Sequence, residues 1–290
     1  MTNNFRGTER VTTALLLAAG TGSRLYPLTE NEPKCLTMVN GTAILERLVD
    51  SLNQHGFKRL VVVTGHLEHK IREFLGTRIG DMSIEYVFSP SYRTTNNVYS
   101  LWMAREVINE PFLLLESDLV FDESLLGPML GPDRMAVATM RPWMNGTYVT
   151  VNQSGQVRSI MVGRADFVAE NRYKTVNIYS ISLPAWRRIG EKLDQHVAAG
   201  NVDDYYEIVF AQMIVEGSLS FNVVSFDGKA WYEIDNLADL AQAEELFSSD
   251  DSETAKTVVL SRPVILNRET SNAAESRQAT AGIPSVTSRL

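Results

Sequence analysis

Apolar residues along this chain follow two alternating periods through its first half. Short apolar runs at 12–19, 59–64, 83–88, 112–116 and 135–139 have the length and composition of buried strands. Between them lie stretches with helical spacing. Residues 42–55 put Ile44, Leu45, Leu48, Val49 and Leu52 on one face and stop at Gly56. Residues 68–75 and 98–108 show the same spacing over shorter lengths. Strands alternating with helices predict an α/β fold with a mostly parallel sheet and helices on both faces.

The second half is mixed. Two alternating runs, 148–151 and 157–161, flank the turn Asn152-Gln153-Ser154-Gly155 and predict a hairpin. A strand follows over 174–181. A helix over 184–199 carries Trp186, Ile189, Leu193 and Val197 on one face, and a second helix spans 205–215. Strands at 219–226 and 231–234 precede a closing helix over 237–247, capped by Asn236. Periodicity then stops. Residues 248–256 are polar and acidic, 257–266 hold one more apolar run, and 267–290 are rich in Ser, Thr, Ala and Asn. These patterns predict one domain over 1–247 and a flexible tail or linker over 248–290 that can lead into a further domain.

Composition narrows the classes. The chain has 290 residues, 44% of them hydrophobic, which is enough for a substantial core. Its formal net charge is −8, with no Lys/Arg block, which argues against nucleic-acid and membrane-surface binding. No apolar run is long enough to span a bilayer. The first ten residues lack the apolar segment of a signal peptide. A single cysteine, Cys35, excludes an internal disulfide and fits a reducing cytoplasm. Cys35 adjoins Lys34 but has no His or Asp neighbour in sequence to act as its base, so it reads as a small packed residue.

The most informative segment is LLLAAGTGSRLYPLTENEPKCL, residues 15–36. A buried strand delivers a glycine loop to one end of the sheet. Gly20 and Gly22 leave the backbone bare, so its N–H groups can approach phosphate oxygens. Arg24 and Lys34 add two cations. The loop is not a dinucleotide fingerprint, because its third glycine position is Leu25, and it lacks the Gly-Lys-Ser/Thr of a Walker A loop. It resembles the G-x-G-x-R…P-K loop of the nucleotidyltransferases that activate sugar phosphates and small alcohol phosphates. The resemblance is nearest to the CTP-dependent phosphocholine and 2-aminoethylphosphonate cytidylyltransferases, and it extends over about 12–247.

That resemblance implies a Rossmann-like nucleotidyltransferase fold and a set of site residues. Arg24 and Lys34 are the expected catalytic cations. Ala18, Ala19, Gly20, Thr21, Gly22, Ser23, Gly65 and Asn96 are expected to line the nucleotide. Asp118, after the run LLLES, and Asp235, in WYEID, match the family's two magnesium carboxylates; each also suits a turn or a helix cap. In SPSYRTTNNVYSL, Asn97 is expected to cap the helix, leaving Asn96, Tyr99 or Ser100 to face the pocket. Lys174 and Asn177, on the strand RYKTVNIYSIS, are expected at the acceptor. Lys174 corresponds to a lysine that holds the acceptor's phosphate or phosphonate; an exposed strand lysine fits equally. Tyr173, Tyr179, Asp204 and Glu207 are expected to hold an alkylammonium by cation–π contact and charge, or to pack inward at a helix start. The phosphocholine enzymes carry a tryptophan near the position of Asn145-Gly146-Thr147, where this chain shows no aromatic until Tyr148; that departure weakens the choline reading and leaves room for a primary-amine or hydroxyl phosphonate.

The implied reaction is magnesium-dependent transfer of CMP from CTP to a small phosphonate or phosphate, with release of pyrophosphate. An aminoalkylphosphonate is the favoured acceptor, followed by phosphocholine. Sugar-1-phosphate or inositol-1-phosphate with CTP, UTP or dTTP is the alternative within this chemistry. A nucleotide-sensing module of a bifunctional protein is the alternative outside it; retention of both cations and both carboxylates argues against it. Homodimerisation and a fused partner domain are both compatible with the chain.

Overall fold

The structure is a computed structural model that describes residues 10–141, 144, 146–163 and 172–248. The compact unit Met1–Asp251 holds every described element. The tail over 249–290, with its apolar run at 257–266, lies outside the described residues, as do Trp143 and Asn145.

Strand β1 (Thr13–Ala18) is buried at all six positions. It lies in the centre of the sheet, where a strand covered on both faces reads as continuous apolar sequence. It runs parallel to β4 (Arg59–Thr64) on one side and to β7 (Phe112–Glu116) on the other. Between β1 and β4 come a small ribbon, β2 (Met38–Val39) with β3 (Thr42–Ala43), and helix α1 (Ile44–Gln54). Helix α2 (Glu68–Leu75) and the short β5 (Arg78–Ile79) lead to β6 (Met82–Phe88), which pairs parallel to β4. Helix α3 (Asn97–Ala104) precedes β7.

Alternation along β1 builds two apolar layers. Leu16 and Ala18 pack with Leu45, Leu48 and Leu52 of α1 and Ile71 of α2. Leu15 and Leu17 face the opposite layer, with Val98 and Leu101 of α3. The same layer holds Trp186 and Ile189 of α4 (Leu183–Ala198) and Phe210 of α5 (Tyr206–Val215). Burial of each such side chain contributes about 1.5–3 kcal/mol, so these faces fix the helices to the sheet.

Beyond β7 the sheet turns mixed. After β8 (Leu119–Phe121), β9 (Arg134–Thr139) does not extend the parallel centre. It pairs antiparallel to β12 (Arg172–Ile181) and parallel to β13 (Asn222–Ser225). A parallel neighbour of β7 needs a crossover helix; Glu123–Leu130 forms only a 3-10 segment containing Pro128. The hairpin β10 (Tyr148–Val151) and β11 (Val157–Met161) completes that side, with β10 against β12. Strand β12 also pairs with β7, so it joins the hairpin to the parallel centre. Lastly, β14 (Trp231–Glu233) leaves the main sheet and pairs antiparallel to β8, and α6 (Leu237–Leu246) starts on a capping box from Asn236 and Asp239.

Candidate active site

A cavity of about 560 Å³ opens at the carboxyl ends of β1 and β7, where ligands of open α/β sheets bind. Its volume lies in the range of small-molecule sites.

One end of it is built from the glycine loop. Gly22 stands at φ +63, and a Cβ there would lie 2.9 Å from Lys34 Cβ and 3.1 Å from Thr29 Cγ2. Only glycine lets the turn carrying Arg24 pack against the turn carrying Lys34. The amides of Gly20, Thr21 and Gly22 donate to no backbone acceptor among the described residues. Beside these two turns stand Asp118 and Asp235, far apart in sequence. The β8–β14 ribbon brings them together. Asp118 immediately precedes β8 and Asp235 closely follows β14, so antiparallel pairing sets them side by side, with the Ile234 amide donating to the Asp118 carbonyl at 3.0 Å.

Lys34 joins the two carboxylates. Its Nζ lies 2.7 Å from Asp118 Oδ2 and 2.8 Å from Asp235 Oδ1. Arg24 Nη2 donates to the same Asp235 oxygen at 2.7 Å. Burial alone would lower the Lys34 pKa; the two carboxylates outweigh it and hold the ammonium above its ordinary value. Asp235 moves the other way: burial pushes it up, but Lys34 and Arg24 leave it below the usual carboxylate range. Asp118 Oδ1 is buried and has no partner.

The same cavity holds further carboxyl groups. Glu116, Glu207 and Glu233 line it together with Lys174. Lys174 is buried and donates to Glu233 Oε2 and to the Thr175 carbonyl, each at 3.0 Å. Asn177 donates to Glu233 Oε1 at 3.1 Å. Asn97 donates to Glu116 Oε1 at 3.1 Å and accepts from the Tyr206 amide at 3.0 Å, tying β7 to the start of α5. Burial raises all three carboxyls. Repulsion from neighbouring carboxylates adds to this, and Glu207 reaches about 7.

Glu207 therefore sets a pH dependence of stability. Its folded pKa of about 7 exceeds the unfolded value of 4.5, so the native state holds an extra proton between them. Its contribution to stability is whole below pH 4.5 and is lost as pH rises towards 7. The full loss is on the order of 3 kcal/mol. Glu207→Gln, neutral at every pH, is expected to melt several degrees above wild type at pH 8 and level with it near pH 4.5, read by calorimetry across that range. An equal difference at both pH values would contradict the assignment.

Of the expected nucleotide residues, Ala19, Gly20, Gly22, Ser23 and Asn96 line the cavity; Ala18, Thr21 and Gly65 do not. Gly65 serves packing, since a Cβ there would meet the Ala19 carbonyl at 2.6 Å and Tyr92 Cβ at 2.7 Å. Both asparagines line the cavity, and the capping role expected of Asn97 falls to Asn96. Asn96 caps α3 by accepting from the Asn97 amide, and Asn97 reaches Glu116. Ser100 lines the cavity and Tyr99 does not. Of the expected acceptor residues, Lys174, Asn177 and Glu207 line it. Tyr179 lies in the core, ringed by Tyr206, Phe210 and Phe221 at 5.5–5.9 Å between centroids. Tyr173 packs on an apolar layer, and Asp204 pairs with His196 at 2.9 Å. Trp143 stands two residues before Asn145, so the segment does carry an aromatic and its sequence does not argue against a choline acceptor. Cys35 is buried, which pushes its thiol up to about 12, so it is no nucleophile.

Glu116 and Glu233 were not among the expected site residues, yet their signal is in the sequence. Each stands two residues before a site aspartate, as Glu116-Ser117-Asp118 and Glu233-Ile234-Asp235. Both members of each pair line the cavity.

A glycine loop whose two cations pair directly with two carboxylates, in a cavity at the end of a parallel sheet, places the chain among nucleotidyl-transferring enzymes of the α/β class. Residues 13–131 match the nucleotidyl transferase family, and the chain carries a domain of that family. It is 34% identical to the CMP-5'-(3-aminopropyl)phosphonate synthase of Streptomyces rubellomurinus over 81% of this chain; the chain spans 38% of that synthase's length. It is 29% identical to the 2-aminoethylphosphonate cytidylyltransferase of Lancefieldella rimae, over 79% of this chain and 91% of the relative. The CTP:phosphocholine cytidylyltransferase of Streptococcus pneumoniae shares the fold, with a TM-score of 0.67 at 24% identity over 81% of this chain and 98% of that one. No helix among the described residues is long and apolar enough to cross a membrane.

Proposed function

We propose that the chain transfers CMP from CTP to the phosphonate or phosphate oxygen of a small amine-bearing acceptor and releases pyrophosphate. The observation that carries this reading is the polarity of the cavity. Loop amides, Arg24 and Lys34 offer a phosphate-directed wall, and buried Glu207 with half-buried Glu116 and Glu233 adds three carboxyl groups to the same cavity, where Lys174 pairs with Glu233. A carboxylate-rich pocket suits an ammonium that donates several N–H bonds. The two relatives named for aminoalkylphosphonates, aligned over about four-fifths of this chain, support the same acceptor class. Supply of CTP fits a cytoplasmic location.

In the reaction, an acceptor oxygen lone pair forms a bond to the α-phosphorus while the bond to the β-phosphate oxygen breaks, its electrons leaving with pyrophosphate. Arg24 and the loop amides hold the leaving pyrophosphate. Lys34 neutralises the α-phosphate and the incoming oxygen. Lys174, sharing its ammonium with Glu233, holds the acceptor's anionic group, and the carboxylates orient its amine.

Asp118 and Asp235 fit a magnesium ion. They offer only oxygen donors, Asp118 Oδ1 is buried without a partner, and an ammonium already occupies the space between them. No group of three or more candidate metal-ligating side chains clusters among the described residues, so substrate phosphates and waters would have to complete the shell. When bound, the ion neutralises phosphate charge and orients the oxygens.

Competition among equal CTP, UTP, ATP and GTP with magnesium and 2-aminoethylphosphonate tests the donor. CTP is expected to supply nearly all the pyrophosphate-releasing turnover; preferential use of a purine nucleotide would overturn the reading, and UTP would move it towards the sugar enzymes.

A further inference from the structure

Asn177 lies in the middle of β12 at φ +58, buried, where the register against β9 shifts between Thr175 and Tyr179. Left-handed backbone is open to glycine without strain, and Asn is among the few other residues that enter it readily. Glycine would serve the bulge, so the side chain must do something more. Both of its polar atoms are engaged. Oδ1 accepts from Thr175 Oγ1 at 2.9 Å, and Nδ2 donates to Glu233 Oε1 at 3.1 Å. Lys174, three residues earlier, takes Glu233 Oε2 at 3.0 Å. A regular strand turns residues three apart to opposite faces; the bulge lets both converge on one carboxylate. Glu233 ends β14, whose strand partner is β8 rather than the main sheet.

We infer that Asn177 is a positioning residue: it acts through Glu233, locking both oxygens of that carboxylate in place together with Lys174, and does not itself touch the acceptor. The inference rests on the reading of the cavity as an amine-acceptor site.

A double-mutant cycle tests it. Asn177→Gly keeps the left-handed backbone and removes only the side chain. Glu233→Ala removes its partner, and the double variant closes the cycle. Wild-type turnover with CTP and 2-aminoethylphosphonate is measured first. Asn177→Gly is expected to raise the acceptor KM about tenfold with the CTP KM within twofold. In the Glu233→Ala background the same change is expected to shift the acceptor KM less than twofold. An unchanged acceptor KM in Asn177→Gly, or a tenfold effect that persists without Glu233, would overturn the inference. Melting temperatures of the four proteins carry the same coupling without turnover. Asn177→Gly is expected to lower the melting point more in the wild-type background than in Glu233→Ala, where only the Thr175 bond remains to be lost; additive shifts would overturn it. An inactive wild type with coupled melting shifts would sink the acceptor reading and leave the Asn177–Glu233 lock standing.

Discussion

Asp118→Asn is expected to lower turnover a hundredfold or more while the protein stays folded. Asp118 stands at the junction of three features: the end of β7, the start of the β8–β14 ribbon and the ammonium of Lys34. The substitution keeps volume and leaves an oxygen to accept from Lys34. It removes the negative charge that the buried, unpartnered Oδ1 contributes. If that oxygen meets a magnesium ion bound to the triphosphate, its charge acts on the transition state, and losing one such contact costs on the order of a hundredfold. The fold rests on the apolar layers either side of β1, to which Asp118 does not belong, so the melting temperature should move only a few degrees. Asp235→Asn should match it. Turnover by pyrophosphate release and melting by calorimetry check both; wild-type turnover in either variant would remove the metal assignment.

Lys34→Met is expected to have two opposed effects. Turnover should fall a hundredfold or more, because the cation that neutralises the α-phosphate is gone. Divalent binding to the nucleotide-free protein should strengthen about tenfold. In the free protein, Lys34 and Arg24 balance the charges of Asp118 and Asp235, so an arriving divalent ion meets a neutral cluster. Deleting the half-buried lysine leaves a net negative charge in a site partly shielded from water, where attraction exceeds that in bulk solvent. Lys34→Arg keeps the charge and should keep the site closed. The paramagnetic resonance signal of free manganese, titrated with each protein, reads this directly; equal binding by wild type and Lys34→Met would contradict it.

The legible parts of this protein were those carried by contiguous sequence. Strand β1, the glycine loop, Arg24 and Lys34 fall within about twenty residues, and their order alone predicts a cationic loop at a sheet edge. The helices of the two apolar layers were readable from spacing for the same reason. What pairing decides was not readable. β9 was expected to extend the parallel sheet, but its preceding segment holds no crossover helix, and it joined β12 instead. Tyr173, Lys174, Asn177 and Tyr179 sit on one strand, yet only Lys174 and Asn177 line the cavity. The bulge at Asn177 changes the parity of the strand midway, and nothing local announces it. Glu116 and Glu233 were visible as the outer members of two E-x-D pairs, but the significance of the pairs depends on the ribbon that brings them together.

Phosphorus NMR of the full chain with CTP, magnesium and 2-aminoethylphosphonate tests the central claim most directly. The account predicts loss of the free phosphonate signal and growth of a mutually coupled phosphonate–phosphate pair, with pyrophosphate appearing one for one. Absence of the coupled pair from every aminoalkylphosphonate, with an anhydride formed instead from UTP or dTTP and a sugar-1-phosphate, would contradict it.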